Sequence, residues 1–144
     1  MPNQPQSFEN HAKLVPAFHY LTLGLVAINV LWNIYRTAVA FSLGQLISLV
    51  AALALLMVAF WARIFALGVQ DRLIRLEMRL RMAGLAPDLA ARFDEFSVNQ
   101  VCSLRFAGDA ELPQLARRVL DEKLDDRKAI KQQIRAWQAD HWRV

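Results

Sequence analysis

Asn29 and Asn33 stand four residues apart in an otherwise apolar stretch, so on a helix they share one face. Gln45 and Ser48 follow in a second apolar stretch. They return to a similar depth if the two stretches fold back on each other. Polar side chains in such a setting can hydrogen-bond between helices, at about 0.6–2 kcal/mol per contact. They can also line a small polar site for an ion, a headgroup or another subunit. No Asp, Glu or Lys interrupts either stretch, which argues against a proton relay or ion path built by one copy.

His19 invites reading as a haem or metal ligand. His11 and His141 are remote from it, and no Cys or carboxylate stands at ligand spacing from any of the three. No metal and no cofactor is expected. The single Cys102 has only Arg105 close by, which does not by itself depress a thiol pKa, so it reads as a small buried side chain. Asp94-Glu95, Asp121-Glu122 and Asp125-Asp126 are adjacent pairs that diverge on a helix and cannot flank one substrate. They read as solvated faces and helix caps. Gly-rich phosphate loops, a G-x-S-x-G elbow and an H-E-x-x-H pair are all absent, so the expectation is a non-enzyme.

The elements that would carry these residues follow from how charge is distributed. Of the 144 residues 56% are hydrophobic, yet residues 1–62 contain only Glu9, Lys13 and Arg36 as charged groups. A water-soluble domain spreads charge over its whole surface, so the segregation excludes a plain soluble fold, a disulfide scaffold and a disordered tail. Lys13 and Arg36 bracket residues 14–35, and Arg36 and Arg63 bracket residues 37–62. About 20 helical residues cross the hydrocarbon layer, so both stretches are long enough. Phe18, His19 and Tyr20 at one end and Trp32 and Tyr35 at the other form aromatic belts for the first. Its length, and the lack of a basic n-region or a small-x-small site, argue against a cleaved signal peptide.

Arg36 alone lies between the spans, whereas Arg63, Arg72, Arg75, Arg79 and Arg81 follow the second. The positive-inside rule then places both termini in the cytoplasm, with a short external turn around residues 37–44. The expected organisation is an N-terminal segment (1–13), a transmembrane hairpin (14–62, spans 14–35 and 40–62) and a cytoplasmic helical region (63–144). The fold class is all-α, since no period-2 run of β-branched residues occurs.

In the cytoplasmic part, Val69, Leu73, Leu76, Leu80 and Ala83 fall at heptad spacing, with Ile74 and Met78 widening the stripe. This predicts an amphipathic stalk over 63–83, ended by Gly84 with Pro87 beyond, and i,i+4 pairs Asp71–Arg75 and Glu77–Arg81 on its other face. Short helices follow. One runs from Pro87 to about Phe96. The next opens on a Ser97-x-x-Gln100 capping box and stops at Gly108. A third is opened by Asp109 and Pro113, with Leu112, Leu115, Ala116, Val119 and Leu120 inward. A last one is capped by Asp125, with Ile130, Ile134 and Trp137 in one stripe. Residues 63–86 and 127–144 are net basic and residues 87–126 net acidic, suggesting an acidic middle folded between basic blocks that also meet anionic lipid headgroups. The tail interleaves Trp137 and Trp142 with basic residues, but the acidic middle shares that charge and nucleic acid is not expected.

Asn10-His11-x-x-Leu14-Val15-Pro16-x-Phe18-His19 resembles the opening of a small bacterial two-span membrane-protein family, a domain of unknown function. The resemblance continues in Arg63-x-Phe65-Ala66-Leu67-x-x-Gln70-Asp71-Arg72-x-Ile74-Arg75-Leu76-Glu77 and in Leu104-Arg105-Phe106-Ala107-x-Asp109-Ala110-Glu111-Leu112-Pro113. It closes with Asp126-Arg127-Lys128-Ala129-Ile130-Lys131 and Trp137, covering nearly the whole chain. Gln138-Ala139 departs from the family pattern, which has Arg-Pro there. The resemblance implies two membrane spans and a helical cytoplasmic region, and brings no activity, cofactor or catalytic residue.

Asp71, Arg72, Arg75, Arg105, Asp109, Glu111, Arg127, Lys128 and Lys131 suit recognition better than turnover. They are candidates for a buried ion-pair lattice or for a partner surface. These readings combine into a bacterial inner-membrane protein that acts by interaction, as a scaffold or accessory subunit. Its partners would be the bilayer and an unidentified membrane or cytoplasmic protein, with homo-oligomerisation open. The alternative is an oligomeric transport or channel component whose Asn29/Asn33/Gln45 face lines a pore. A membrane-tethered enzyme comes third.

Overall fold

The computed structural model describes residues 6–10 and 14–140. Lys13, His11, His141, Trp142 and Arg143 lie outside the described residues. The chain is all-α, as its periodicity predicts, with two helices long and apolar enough to cross a membrane. It divides into two compact units, one of residues 14–67 and one of residues 68–140 with residues 6–10.

In the first unit a π-helical stretch, Ala17–Thr22, runs into α1 (Leu23–Val39). Pro16 precedes it at a position where its missing N–H is no loss. The next helix, α2, spans Leu43–Leu85 and is 43 residues long. The connection is only residues 40–42, shorter than the expected turn over 37–44. The Ser42 hydroxyl accepts a hydrogen bond from the Gln45 N–H at 3.2 Å and so caps α2 early. Val26, Val30 and Ala52 are buried in this unit, while Leu25, Ile28, Leu31, Ile47, Val50 and Val58 point outward.

The second unit takes its core from the rest of α2 and from five short elements. These are α3 (Pro87–Ala91), a 3-10 turn (Phe93–Glu95), α4 (Val98–Leu104), α5 (Leu112–Asp121) and α6 (Arg127–Gln132). The single helix expected over 87–96 is broken at Arg92, yet Leu89, Phe93 and Phe96 are all buried. The capping box forms as its spacing predicts: Ser97 accepts from the Gln100 N–H and Gln100 from the Ser97 N–H. Leu112, Leu115, Ala116 and Val119 are buried along α5 at i, i+3, i+4, i+7. Beyond α5, Lys123 takes a positive φ of 50°. The Lys123 N–H donates to Leu120 O and the Leu124 N–H to Val119 O, which closes a Schellman motif.

Three sequence expectations are corrected here. First, the stalk buries Ile74, Met78, Met82 and Ala86, while Val69, Leu73, Leu76 and Leu80 are exposed. Two apolar stripes lie on opposite sides of α2, and the inner one is flanked by arginines that find partners in the unit. Second, the cap of α6 is Asp126, which accepts from the Ala129 N–H at 2.8 Å, whereas Asp125 accepts from Ser97 and Asn99. Third, α6 ends at Gln132, so Ile134 and Trp137 belong to the extended tail. Trp137 forms an isolated antiparallel bridge with Ala107. There the Gly108 N–H donates to Ala136 O at 2.8 Å, and a Cβ at 108 would sit 3.1 Å from the Ala136 Cβ and carbonyl oxygen. A side chain there would force residue 136 to give way by a few tenths of an ångström.

Candidate interaction surfaces

Asn29 and Asn33 of α1 share a recess of about 400 Å³ with Ser48, Ala51, Ala52 and Leu55 of α2. Their hydrogen bonds run within each helix: Asn33 Nδ2 donates to Asn29 O at 2.9 Å and the Ser48 hydroxyl to Gly44 O at 2.9 Å. The Gln45 side chain does not line the recess, although its N–H is tied to Ser42. His19 Nδ1 lies 3.1 Å from the Val15 N and 3.0 Å from its O, at the helix start.

The charged residues of the second unit divide into inner and outer groups. Arg75 lies 3.3 Å from Asp94 Oδ1 and Arg79 2.5 Å from the same oxygen, and both guanidinium groups cover the Phe93 ring. Arg81 donates from Nε to Asp109 Oδ1 at 2.7 Å and also to the carbonyls of Arg105 and Ala107, with its side chain only 18% exposed. Arg105, 9% exposed, lies over the Phe106 ring with Nε 3.3 Å from Asp140 Oδ2. Phe106 also stacks on Trp137 at 4.6 Å and meets Lys131 Nζ at 5.2 Å. Glu111 accepts from the N–H groups of Arg135 and Ala136 at 3.1 and 3.0 Å. Arg127 Nε donates to Asn99 Oδ1 at 2.7 Å. Arg72 and Lys128 are exposed.

The expected i,i+4 pairs on the stalk are not made, because both arginines have better partners across the unit. Asp71 instead accepts from the Cys102 thiol at 3.3 Å. Burial first, then the Asp71 charge, pushes the Cys102 thiol up from 9.0 to about 11. It is a buried, protonated side chain, far from a nucleophile. Hydrogen bonds from Ser97 and Asn99 hold the Asp125 carboxyl below its usual range. Among the described residues no group of three His, Cys, Asp or Glu side chains is placed to hold a metal.

Sequence reasoning missed three residues. Arg81 was read as a surface partner of Glu77 and is instead the hinge-pin between α2 and the α4–α5 connection. Asp94 is solvent-exposed, as read, but also receives two arginines that its sequence neighbourhood does not signal. Gln6 joins the chain ends: its Nε2 donates to Asp140 O at 3.1 Å and its Oε1 accepts from the Asp140 N–H at 2.7 Å. No local pattern signals a contact across 134 residues.

An all-helical chain with two apolar helices of membrane-crossing length and a small polar helical unit is thereby defined. The chain belongs to the family of unknown function DUF6526, whose family model matches residues 1–144. No curated protein and no solved structure matches it.

Proposed function

We propose that the chain is an integral protein of the bacterial inner membrane that works by protein–protein interaction, as a scaffold or accessory subunit, without catalysis of its own. α1 and the first part of α2 form a transmembrane hairpin, and the polar unit lies in the cytoplasm. Outward-facing Leu25, Ile28, Leu31, Ile47 and Val50 support lipid as their solvent, since water would disfavour so large an apolar surface. The contact of Gln6 with Asp140 favours both chain ends on one side of the bilayer. The excess of arginine after residue 62 favours the cytoplasmic side. On this reading the basic residues of the stalk and tail would meet anionic headgroups.

The observation that carries the interaction reading is the exposed stripe Val69, Leu73, Leu76 and Leu80 on α2. Mass measurement of the full chain released gently from its membrane tests it. A complex larger than one chain is expected. A species of one chain alone, after extraction conditions that preserve other membrane complexes, would overturn it.

The recess at Asn29, Asn33 and Ser48 favours a second reading, an oligomeric transport component. Ion flux through vesicles holding the purified chain, lost in Asn29→Leu, would support that reading over the first.

A further inference from the structure

We propose that the outer face of α2 over residues 69–83 is the seam of a parallel pairing with a second copy of this chain. The proposal rests on the membrane-interaction reading above and names its partner. At 100° per residue the stripe Val69, Leu73, Leu76, Leu80 lies about 180° around the helix from the buried Ile74, Met78 and Met82. Its four side chains are 54–68% exposed, although the opposite face is sealed into the core. The steps of four, three and four residues, and of three more to Ala83, give the d-a-d-a-d order of a two-stranded seam.

Charge selects the occupant. Arg72 precedes the a-position Leu73, and Glu77 follows the d-position Leu76, so they hold g and e positions. In a parallel pair a g residue meets the e residue five places further along the other copy, which matches Arg72 with Glu77, twice by two-fold symmetry. Among the described residues neither has an ion-pair partner within its own chain, while Asp71, Arg75, Arg79 and Arg81 around them are all engaged. The intrachain partner available to Glu77 on α2, Arg81, is occupied by Asp109. An antiparallel partner would separate these charges, and an anionic headgroup layer would repel Glu77.

A seam of about two heptads is too short to hold two free helices together in water. Two copies inserted in one bilayer share one orientation and a confined volume, so the membrane supplies both the parallel register and the effective concentration.

The test uses the full chain in isolated membranes, with one cysteine added to the native Cys102 in each variant: Leu73→Cys, Leu76→Cys and, as a control on α3, Ala91→Cys. The unaltered chain, with its buried Cys102, is the blank. Mild oxidation should give disulfide-linked dimers at 73 and 76, where facing Cα atoms lie within disulfide reach, and none at 91. In the Leu76→Cys background, Arg72→Glu should lower dimer yield by about fivefold, and Arg72→Glu with Glu77→Arg should restore it. No dimer at 73 and 76, or equal yield at 91, overturns the proposal, as does a charge swap that fails to restore. Alkaline carbonate washing separates the two levels. A chain that stays in the membrane without forming the dimer defeats only the pairing, whereas a chain that washes off defeats the membrane reading as well.

Discussion

Arg81 Nε lies 2.7 Å from Asp109 Oδ1, joining the stalk helix to a loop 28 residues further along the chain. The same guanidinium donates to the Arg105 and Ala107 carbonyls, so one side chain satisfies the turn between α4 and α5. Hydrogen bonds to a charged group contribute more than neutral ones, and although Asp109 is solvent-exposed, removing the largely buried Arg81 side chain leaves the Arg105 and Ala107 carbonyls without that donor. Arg81→Ala should therefore lower unfolding free energy by about 2–4 kcal/mol. Arg81→Lys should recover little of this, because a point charge cannot reach three acceptors at once. Thermal melts in detergent check both; a loss below about 0.5 kcal/mol would remove Arg81 from its structural role.

Arg72 and Arg105 separate surface from core. Arg105 is nearly buried between Phe106 and Asp140, and Arg72 is exposed. Arg105→Ala should cost about 3 kcal/mol in the same melts, while Arg72→Ala should move stability by less than about 0.5 kcal/mol. Reversal of that order would move the structural lattice to the outer face of α2.

Cys102 makes an alkaline prediction. Its thiol titrates near 11 when folded, against 9.0 ordinarily, because burial and Asp71 both disfavour the thiolate. Between those values the unfolded chain gives up its proton and the folded chain keeps it. The stabilisation is full below pH 9 and is lost as pH rises to about 11. Cys102→Ala should flatten stability over that window. At neutral pH the thiol should resist alkylation until the chain is unfolded, which mass spectrometry reads directly.

Lys123 closes α5 with a left-handed backbone that costs a non-glycine residue about 1 kcal/mol. Lys123→Gly should keep the Schellman hydrogen bonds and raise stability by up to about that amount. A lower melting temperature would show that the lysine side chain outweighs its backbone strain.

The local elements were legible because their signals are local. Ser97-x-x-Gln100 specifies a cap within four residues, and the 3.6-residue spacing of Leu112, Leu115, Ala116 and Val119 specifies a buried face. The 26 uncharged residues before Arg63 specify an apolar helix whatever surrounds it. Of the candidate charged residues, Arg75, Arg105 and Asp109 are ion-paired within the unit while Arg72 and Lys128 are exposed, and the candidates did not include Arg81 or Asp94. Asp71–Arg75 and Glu77–Arg81 have ideal helical spacing, and neither pair forms, since Arg75 and Arg81 are drawn to Asp94 and Asp109.

By itself the sequence determined an all-helical chain, two apolar helices, and a stalk with one broad apolar stripe, which the structure splits into an inner and an outer one. Hydrophobic periodicity and capping act over a single helix turn or two, and need no knowledge of neighbours. Tertiary structure alone decided which stripe of α2 faces inward. Ile74, Met78 and Met82 are no more apolar than Leu73, Leu76 and Leu80. The choice fell to Asp94, Asp109 and the carbonyls of residues 105 and 107, which reward arginines on that side. It left Arg72, Glu77 and the leucines between them facing outward.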